Sequence, residues 1–145
     1  MESEELTRKI IGCAMTVHRV LGGGFLESVY QKALAYELRK AGLSVECEAK
    51  IQVNYDGMVV GEFSADMLVN GCIIIENKAV QSLVTAHETQ LVNYLTATGI
   101  EIGLLLNFGG PHLEFKRKTR TYRPRSFGQD AQNEKKRQNK PCKCC

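Results

Sequence analysis

Residues 64–78 read Ser64-Ala65-Asp66-Met67-Leu68-Val69-Asn70-Gly71-Cys72-Ile73-Ile74-Ile75-Glu76-Asn77-Lys78, two apolar runs joined by Asn-Gly. That dipeptide between apolar runs is a hairpin signal, because both residues tolerate positive φ. The second run, Cys72 to Ala79, is apolar enough for a central strand. It nevertheless carries Glu76 and Lys78, two positions apart and so on one face, with Asn77 on the other. Charges in such a strand are costly unless they are paired or functional. Asp66 stands in the preceding run, flanked by Phe63, Met67 and Leu68, and register decides whether it joins them. A regular two-residue loop pairs Asp66 with Ile75 and leaves Glu76 on the opposite face. One extra residue, as in a Gly71 bulge after a type I turn, pairs Asp66 with Glu76. The longer register is the expected one, since Asn-Gly supplies the left-handed residue it requires. Three charged side chains then share a face.

Two neighbouring carboxylates repel each other unless a hard divalent cation lies between them. Mg²⁺ (or Mn²⁺) takes oxygen ligands and keeps waters, so a pair of carboxylates plus a substrate phosphate suits it. A lysine beside the ion can orient or deprotonate a water, or stabilise charge developing on phosphorus. The competing reading is a surface ion pair between Glu76 and Lys78, since strands often carry paired charges.

Outward from this hairpin, the pattern alternates between periods. Leu6, Ile10, Ile11, Ala14, Met15 and Val17 recur at helical spacing over Glu4 to Leu21, and Gly22-Gly23-Gly24 stops that helix. A second helix is expected from Phe25 to Ala41, with Leu26, Val29, Tyr30, Ala33, Leu34 and Leu38 on one face and Gly42 as its stop. The period then becomes two: Val45, Cys47, Ala49, Ile51 and Val53 alternate with polar residues, a half-buried strand. Asp56-Gly57 turns into Met58 to Val69, the strand that bears Asp66. After Cys72 to Ala79 come a third helix, Val84 to Thr98, a strand from Glu101 to Phe108, and a short strand from His112 to Lys116. The expected fold is a single α/β domain with an αβββαβ core, a mixed sheet flanked by helices, preceded by an extra N-terminal helix.

At 145 residues the chain accommodates one such domain. The boundary expected is a domain over 1–120 and a basic, cysteine-ended tail over 121–145 without a core of its own. Charge divides the same way. Met1 to Phe115 holds 8 Lys/Arg against 14 Asp/Glu, net −6, whereas Lys116 to Cys145 holds 11 against 2, net +9, giving the +3 of the whole chain. A basic segment on an acidic body attracts phosphate backbones or anionic lipid. No stretch is long and apolar enough for a membrane span, and the acidic start does not resemble a secretory signal. With six cysteines in no framework spacing, a reducing cytoplasm is the expected location. Cys13, Cys47 and Cys72 fall in apolar-patterned segments and read as small hydrophobes. Cys142, Cys144 and Cys145 lack the aliphatic residues of a prenylation signal.

Several blocks together resemble a known group. Gly24-Phe25-Leu26-Glu27-Ser28-Val29-Tyr30 reproduces the motif of the GxxExxY proteins, which are similar to the PD-(D/E)XK nuclease superfamily. Ala65-Asp66, Glu76-Asn77-Lys78-Ala79-Val80, His87-Glu88-Thr89-Gln90-Leu91 with Tyr94-Leu95, and Gly103 to Phe108 follow in the family's order, from about Leu6 to Phe115. The resemblance implies a restriction-endonuclease-like fold in which Asp66, Glu76 and Lys78 form the D…(D/E)xK signature. It also brings Glu27 to the site from the second helix and Gln90 from the third. By the same comparison Glu27, Asp66 and Glu76 hold the metal. Spacing agrees for the third helix, where His87, Gln90 and Tyr94 share a face, although His87 and Tyr94 equally suit packing on the sheet. Tyr30 fits core better than site. Asn77 departs from the pattern, because that position is usually apolar in the family and a buried amide needs hydrogen bonds. Ser64 stands where the family commonly has a basic residue. The activity implied is Mg²⁺-dependent hydrolysis of phosphodiesters in nucleic acid. The alternative is a non-catalytic module of the same fold that binds nucleic acid or a protein partner.

Overall fold

The computed structural model describes residues 2–121, so the expected tail lies outside the described residues apart from Thr121. Eight elements follow in chain order: α1 (Ser3–Leu21), α2 (Glu27–Lys40), β1 (Val45–Tyr55), β2 (Met58–Val69), β3 (Ile73–Lys78), α3 (Thr85–Thr98), β4 (Ile102–Asn107) and β5 (Glu114–Thr119). The strands lie in one sheet in the order β1-β2-β3-β4-β5. β1, β2 and β3 form an antiparallel meander, β3 and β4 run parallel across the α3 connection, and β5 returns antiparallel to β4. This is the mixed αβββαβ sheet expected from the sequence, with α1 added in front.

The sheet separates two apolar layers. Leu6, Ile10, Ala14 and Val17 of α1 and Tyr30, Leu34, Ala35 and Leu38 of α2 pack with Met67, Val69, Ile73, Ile75, Leu104 and Leu106. Cys13, Cys47 and Cys72 are partly buried against the same layer, and Cys13 and Cys47, whose thiols are free, fit their reading as small hydrophobes. On the other face Leu91 and Leu95 of α3 cover Ile51, Ala65, Ile74 and Leu105. Consecutive β3 residues therefore serve opposite layers, which explains its unbroken apolar run: a strand covered on both sides needs apolar residues at every position. Gly103 admits α3 closely, since a Cβ there would lie 2.7 Å from Leu91 Cδ1.

Two ends differ from the sequence expectation. α2 starts at Glu27 rather than Phe25, because Leu26 is extended and acts as the N-cap. The preceding glycine turn is tied to the core by Tyr30, whose hydroxyl donates to the Gly22 carbonyl at 2.6 Å and accepts from the Phe25 N–H at 3.2 Å. The Tyr30 ring is fully buried and stacks on Phe108 at 4.8 Å. The last strand runs two to three residues later than expected, because Glu114 is the partner of Asn107 where β5 begins. Among the described residues no helix is long and apolar enough to cross a membrane.

Candidate active site

The β2–β3 turn takes the longer register. Val69 pairs with Ile73, Leu68 with Ile74 and Met67 with Ile75, leaving three residues in the loop. The extra residue is Cys72 rather than Gly71. Asn70 and Gly71 both have positive φ, 52° and 67°, the signature of a type I′ rather than a type I turn. The Cys72 N–H closes it on the Val69 carbonyl at 2.9 Å. Asn70 also accepts from the Ser44 N–H at 2.8 Å through Oδ1, which pins the turn to the start of β1.

Beyond Met67 and Ile75 the backbone ladder gives way to side chains. The Asp66 N–H donates to Glu76 Oε1 at 3.2 Å, and the Asn77 N–H donates to Asp66 Oδ2 at 2.8 Å. Each carboxylate thus sits at the backbone of the other's strand, and the two are brought together as the register predicts. Glu76 is only 4% exposed and lies deep between β2 and β4. Burial, followed by the charge of Asp66, pushes its carboxyl up to about 8. Asp66 is raised as well, chiefly by burial and against the Asn77 hydrogen bond, with Glu48 and Glu27 adding repulsion. The nearby Lys78 ammonium opposes both shifts without offsetting them. A pair that resists double ionisation, made only of hard oxygen donors, has the chemistry that suits a divalent cation. The surface ion-pair reading does not hold, because Glu76 is buried and no salt bridge joins it to Lys78.

Asp66 also marks a kink. In a regular strand, residues two apart share a face. Here Ala65 packs under α3 and Met67 under α1 and α2; on β1, Ile51 and Cys47 divide the same way although they are four apart. Both strands therefore change face between these positions. The paired ladder skips Glu48 and Asp66, with Cys47 opposite Met67 and Ala49 opposite Ala65. Glu48 has φ 54°, left-handed backbone in mid-strand. Its carboxylate accepts from Gln31 Nε2 at 2.9 Å, and the same nitrogen donates to the Asp66 carbonyl at 3.3 Å.

The remaining sequence-predicted residues distribute around this pair. Glu27, exposed in the first turn of α2, is close enough to raise Asp66. It does not complete a cage, since no three His, Cys, Asp or Glu side chains among the described residues converge as a ready-made ligand set. Tyr94 on α3 stacks on Phe63 at 4.0 Å. Its hydroxyl is raised by burial and then by the charges of Glu76 and Asp66, against a hydrogen bond with Gln90. Tyr94 thus packs on the sheet as one reading expected, with Gln90 beside its hydroxyl. His87 turns elsewhere: its Nδ1 accepts from the Val84 N–H at 3.2 Å and caps its own helix. Asn77 is 1% exposed on the α1/α2 side; its Nδ2 approaches Met67 Sδ at 3.3 Å while Oδ1 has no partner.

Sequence reasoning missed Glu48 and Asn107. Glu48 looked like one more wet residue in an alternating strand. Asn107 is fully buried, and its amide accepts from the Val80 N–H at 3.0 Å and donates to the Val80 carbonyl at 2.9 Å. That clamp, with the Phe108 N–H on the Lys78 carbonyl at 2.9 Å, fixes the end of β3 just past Lys78. A polar residue closing an apolar strand was the signal available for it.

A mixed sheet opened at one point by two carboxylates from adjacent antiparallel strands, with a lysine two residues on, defines a nuclease-like α/β class. The sequence matches the PD-(D/E)XK nuclease superfamily over residues 4–118, and the chain belongs to that superfamily. Among solved structures it is similar to the crystal structure of SSO0001, with a TM-score of 0.55 and 21% identity over 66% of this chain. The match spans 50% of that protein, so it speaks for the fold alone. No curated protein matches the sequence.

Proposed function

We propose that the protein is a Mg²⁺-dependent (or Mn²⁺-dependent) phosphodiesterase acting on nucleic acid in the cytoplasm, and that it falls in the GxxExxY group of its superfamily. The observation that carries the activity is the meeting of Asp66 and Glu76, with Glu76 pushed up to about 8 when no cation balances the pair. Superfamily nucleases generally use divalent metals, which supports the same reading. A bound cation would neutralise the carboxylates and polarise a phosphate oxygen. Asp66 and Glu76 are the ligands we assign, with Glu27 acting through water from the start of α2. Lys78, as an ammonium, orients the attacking water or stabilises charge developing on phosphorus. Gln90 positions substrate or Lys78. The group assignment is supported by the Gly24-to-Tyr30 motif and by the Tyr30 hydrogen bonds that hold the glycine turn ahead of Glu27.

The test combines calorimetric titration of Mn²⁺ with divalent-dependent cleavage of single-stranded, duplex and structured nucleic acids. Wild type binds and cuts, Asp66→Ala loses both, and Lys78→Ala binds without cutting, because lysine contributes no ligand oxygen. Cleavage that survives both substitutions overturns the assignment. Metal binding without cleavage anywhere in the panel makes the non-catalytic module, binding nucleic acid or a protein partner, the better reading.

A further inference from the structure

We infer that Gln31 is a positioning residue of this site, gripping with one amide nitrogen the kink from which Asp66 presents its carboxylate. The inference rests on the cation-dependent reading above and concerns what keeps the site in shape. Gln31 Nε2 reaches both strands at the same step, Glu48 on β1 at 2.9 Å and the Asp66 carbonyl on β2 at 3.3 Å. An amide nitrogen has two N–H donors, and both are spent here. The backbone it holds needs holding. A non-glycine residue in the left-handed region is strained and persists only where its surroundings over-determine it. Glu48 at φ 54° is such a residue, and it lies where both strands change face.

Docking of α2 does not account for these bonds. Tyr30, Leu34, Ala35 and Leu38 already bury the helix against the sheet, so a half-buried amide adds little to that contact. Gln31 lies one turn after Glu27 and on the same face of α2. The helix therefore offers the kink a donor and offers Asp66 a charge from a single edge. Restraint of Glu48 matters because its charge bears on both Asp66 and Glu76.

The experiment is calorimetric titration of Mn²⁺ into the full chain, with manganese EPR of the bound ion, for wild type and four variants. Gln31→Glu keeps the shape, removes both donors and sets a like charge against Glu48. Pure electrostatics predicts tighter Mn²⁺ binding for this variant, because it adds negative charge beside a cation. Positioning predicts looser binding, roughly tenfold or more, as for other groups that orient metal ligands. Gln31→Met, neutral and without donors, loosens it by a smaller factor. The double variant Gln31→Glu with Glu48→Gln restores a donor–acceptor pair at the original net charge. It recovers part of the affinity, through the bond between positions 31 and 48, and not all of it, because a carboxylate at position 31 has no donor for the Asp66 carbonyl. Thermal midpoints in EDTA identify any variant that fails to fold, and the double variant then carries the test alone against Glu48→Gln. Gln31→Glu binding as tightly as wild type, or a double variant no better than Gln31→Glu, overturns the inference. Wild type that binds no Mn²⁺ overturns the reading of the site itself.

Discussion

Replacing Glu76 by Gln should stabilise the metal-free protein at alkaline pH, and by an amount that grows with pH. The Glu76 carboxyl moves from 4.5 to about 8 on folding, by burial and by the charge of Asp66. A raised folded-state value means that the native state holds the proton more tightly than the unfolded chain. The stability this contributes is complete below about pH 4.5 and is lost progressively as pH rises to about 8. At about 1.36 kcal/mol per unit, that window amounts to roughly 5 kcal/mol. It is a ceiling, because a charged Glu76 can draw the splayed ends of β2 and β3 toward water. Glutamine keeps the length and can still accept the Asp66 N–H, but it has no charge to bury. Urea unfolding in EDTA at half-unit steps from pH 5 to 9 should therefore show wild type falling and Glu76→Gln nearly flat after subtraction of common titrations. Saturating Mg²⁺ should restore the wild type at pH 8.5, by about 2.7 kcal/mol at a hundred times its dissociation constant, and leave the variant unmoved. Parallel curves for the two proteins would refute the idea that a buried like-charge pair is waiting for a cation.

Asn77→Leu should stabilise the protein by about 1–3 kcal/mol, the cost of leaving a buried polar atom unpaired, because Oδ1 has no partner; a loss in the urea midpoint would mean that the amide is satisfied. Gly103→Val should destabilise by more than about 2 kcal/mol, since overpacking usually costs 1–3 and the contact with Leu91 begins at 2.7 Å; circular dichroism melts would measure it. Gly109→Ala should be worse, because its Cβ would collide with the Val80 carbonyl oxygen, backbone that cannot step aside. Tyr94→Phe should leave the melting point within a few degrees, keeping the Phe63 stack. It should lower cleavage by freeing Gln90, read as turnover against binding of the same oligonucleotide.

Much of the fold was legible because each element announced its period and its stop. Asp56-Gly57 closes β1 onto β2 with both residues at positive φ, as the dipeptide indicated. The continuous apolar run of β3 implied cover on both faces, and α3 supplies one of them. Even the register at Asn70-Gly71 was inferable, because only an extra residue could bring Glu76 to Asp66. The type of turn was not. Asn-Gly permits a left-handed residue at either position, and here both adopt it, with Asn70 also tied across the sheet to Ser44.

The site was legible as residue types but not as geometry, for a reason visible in β1. Val45, Cys47, Ala49, Ile51 and Val53 alternate without a break, and a strict period of two predicts one buried face along the whole strand. The sheet instead turns over between Cys47 and Ile51, so that one end of the strand serves α1 and α2 and the other serves α3. Apolar residues are acceptable in either layer, so the pattern carries no trace of the reversal. What betrays it is a glutamate at φ 54° in mid-strand, a backbone state that sequence does not encode without a glycine or asparagine. The chemistry sits at a second break in the same sheet. The β2–β3 ladder ends at Met67 and Ile75, and the next N–H groups, those of Asp66 and Asn77, go to the two carboxylates, which accept them at 3.2 and 2.8 Å. Asp66 belongs to both breaks, because the β1–β2 ladder also skips it opposite Glu48, so the residue that bears the carboxylate is the one whose backbone pairs regularly with neither neighbouring strand.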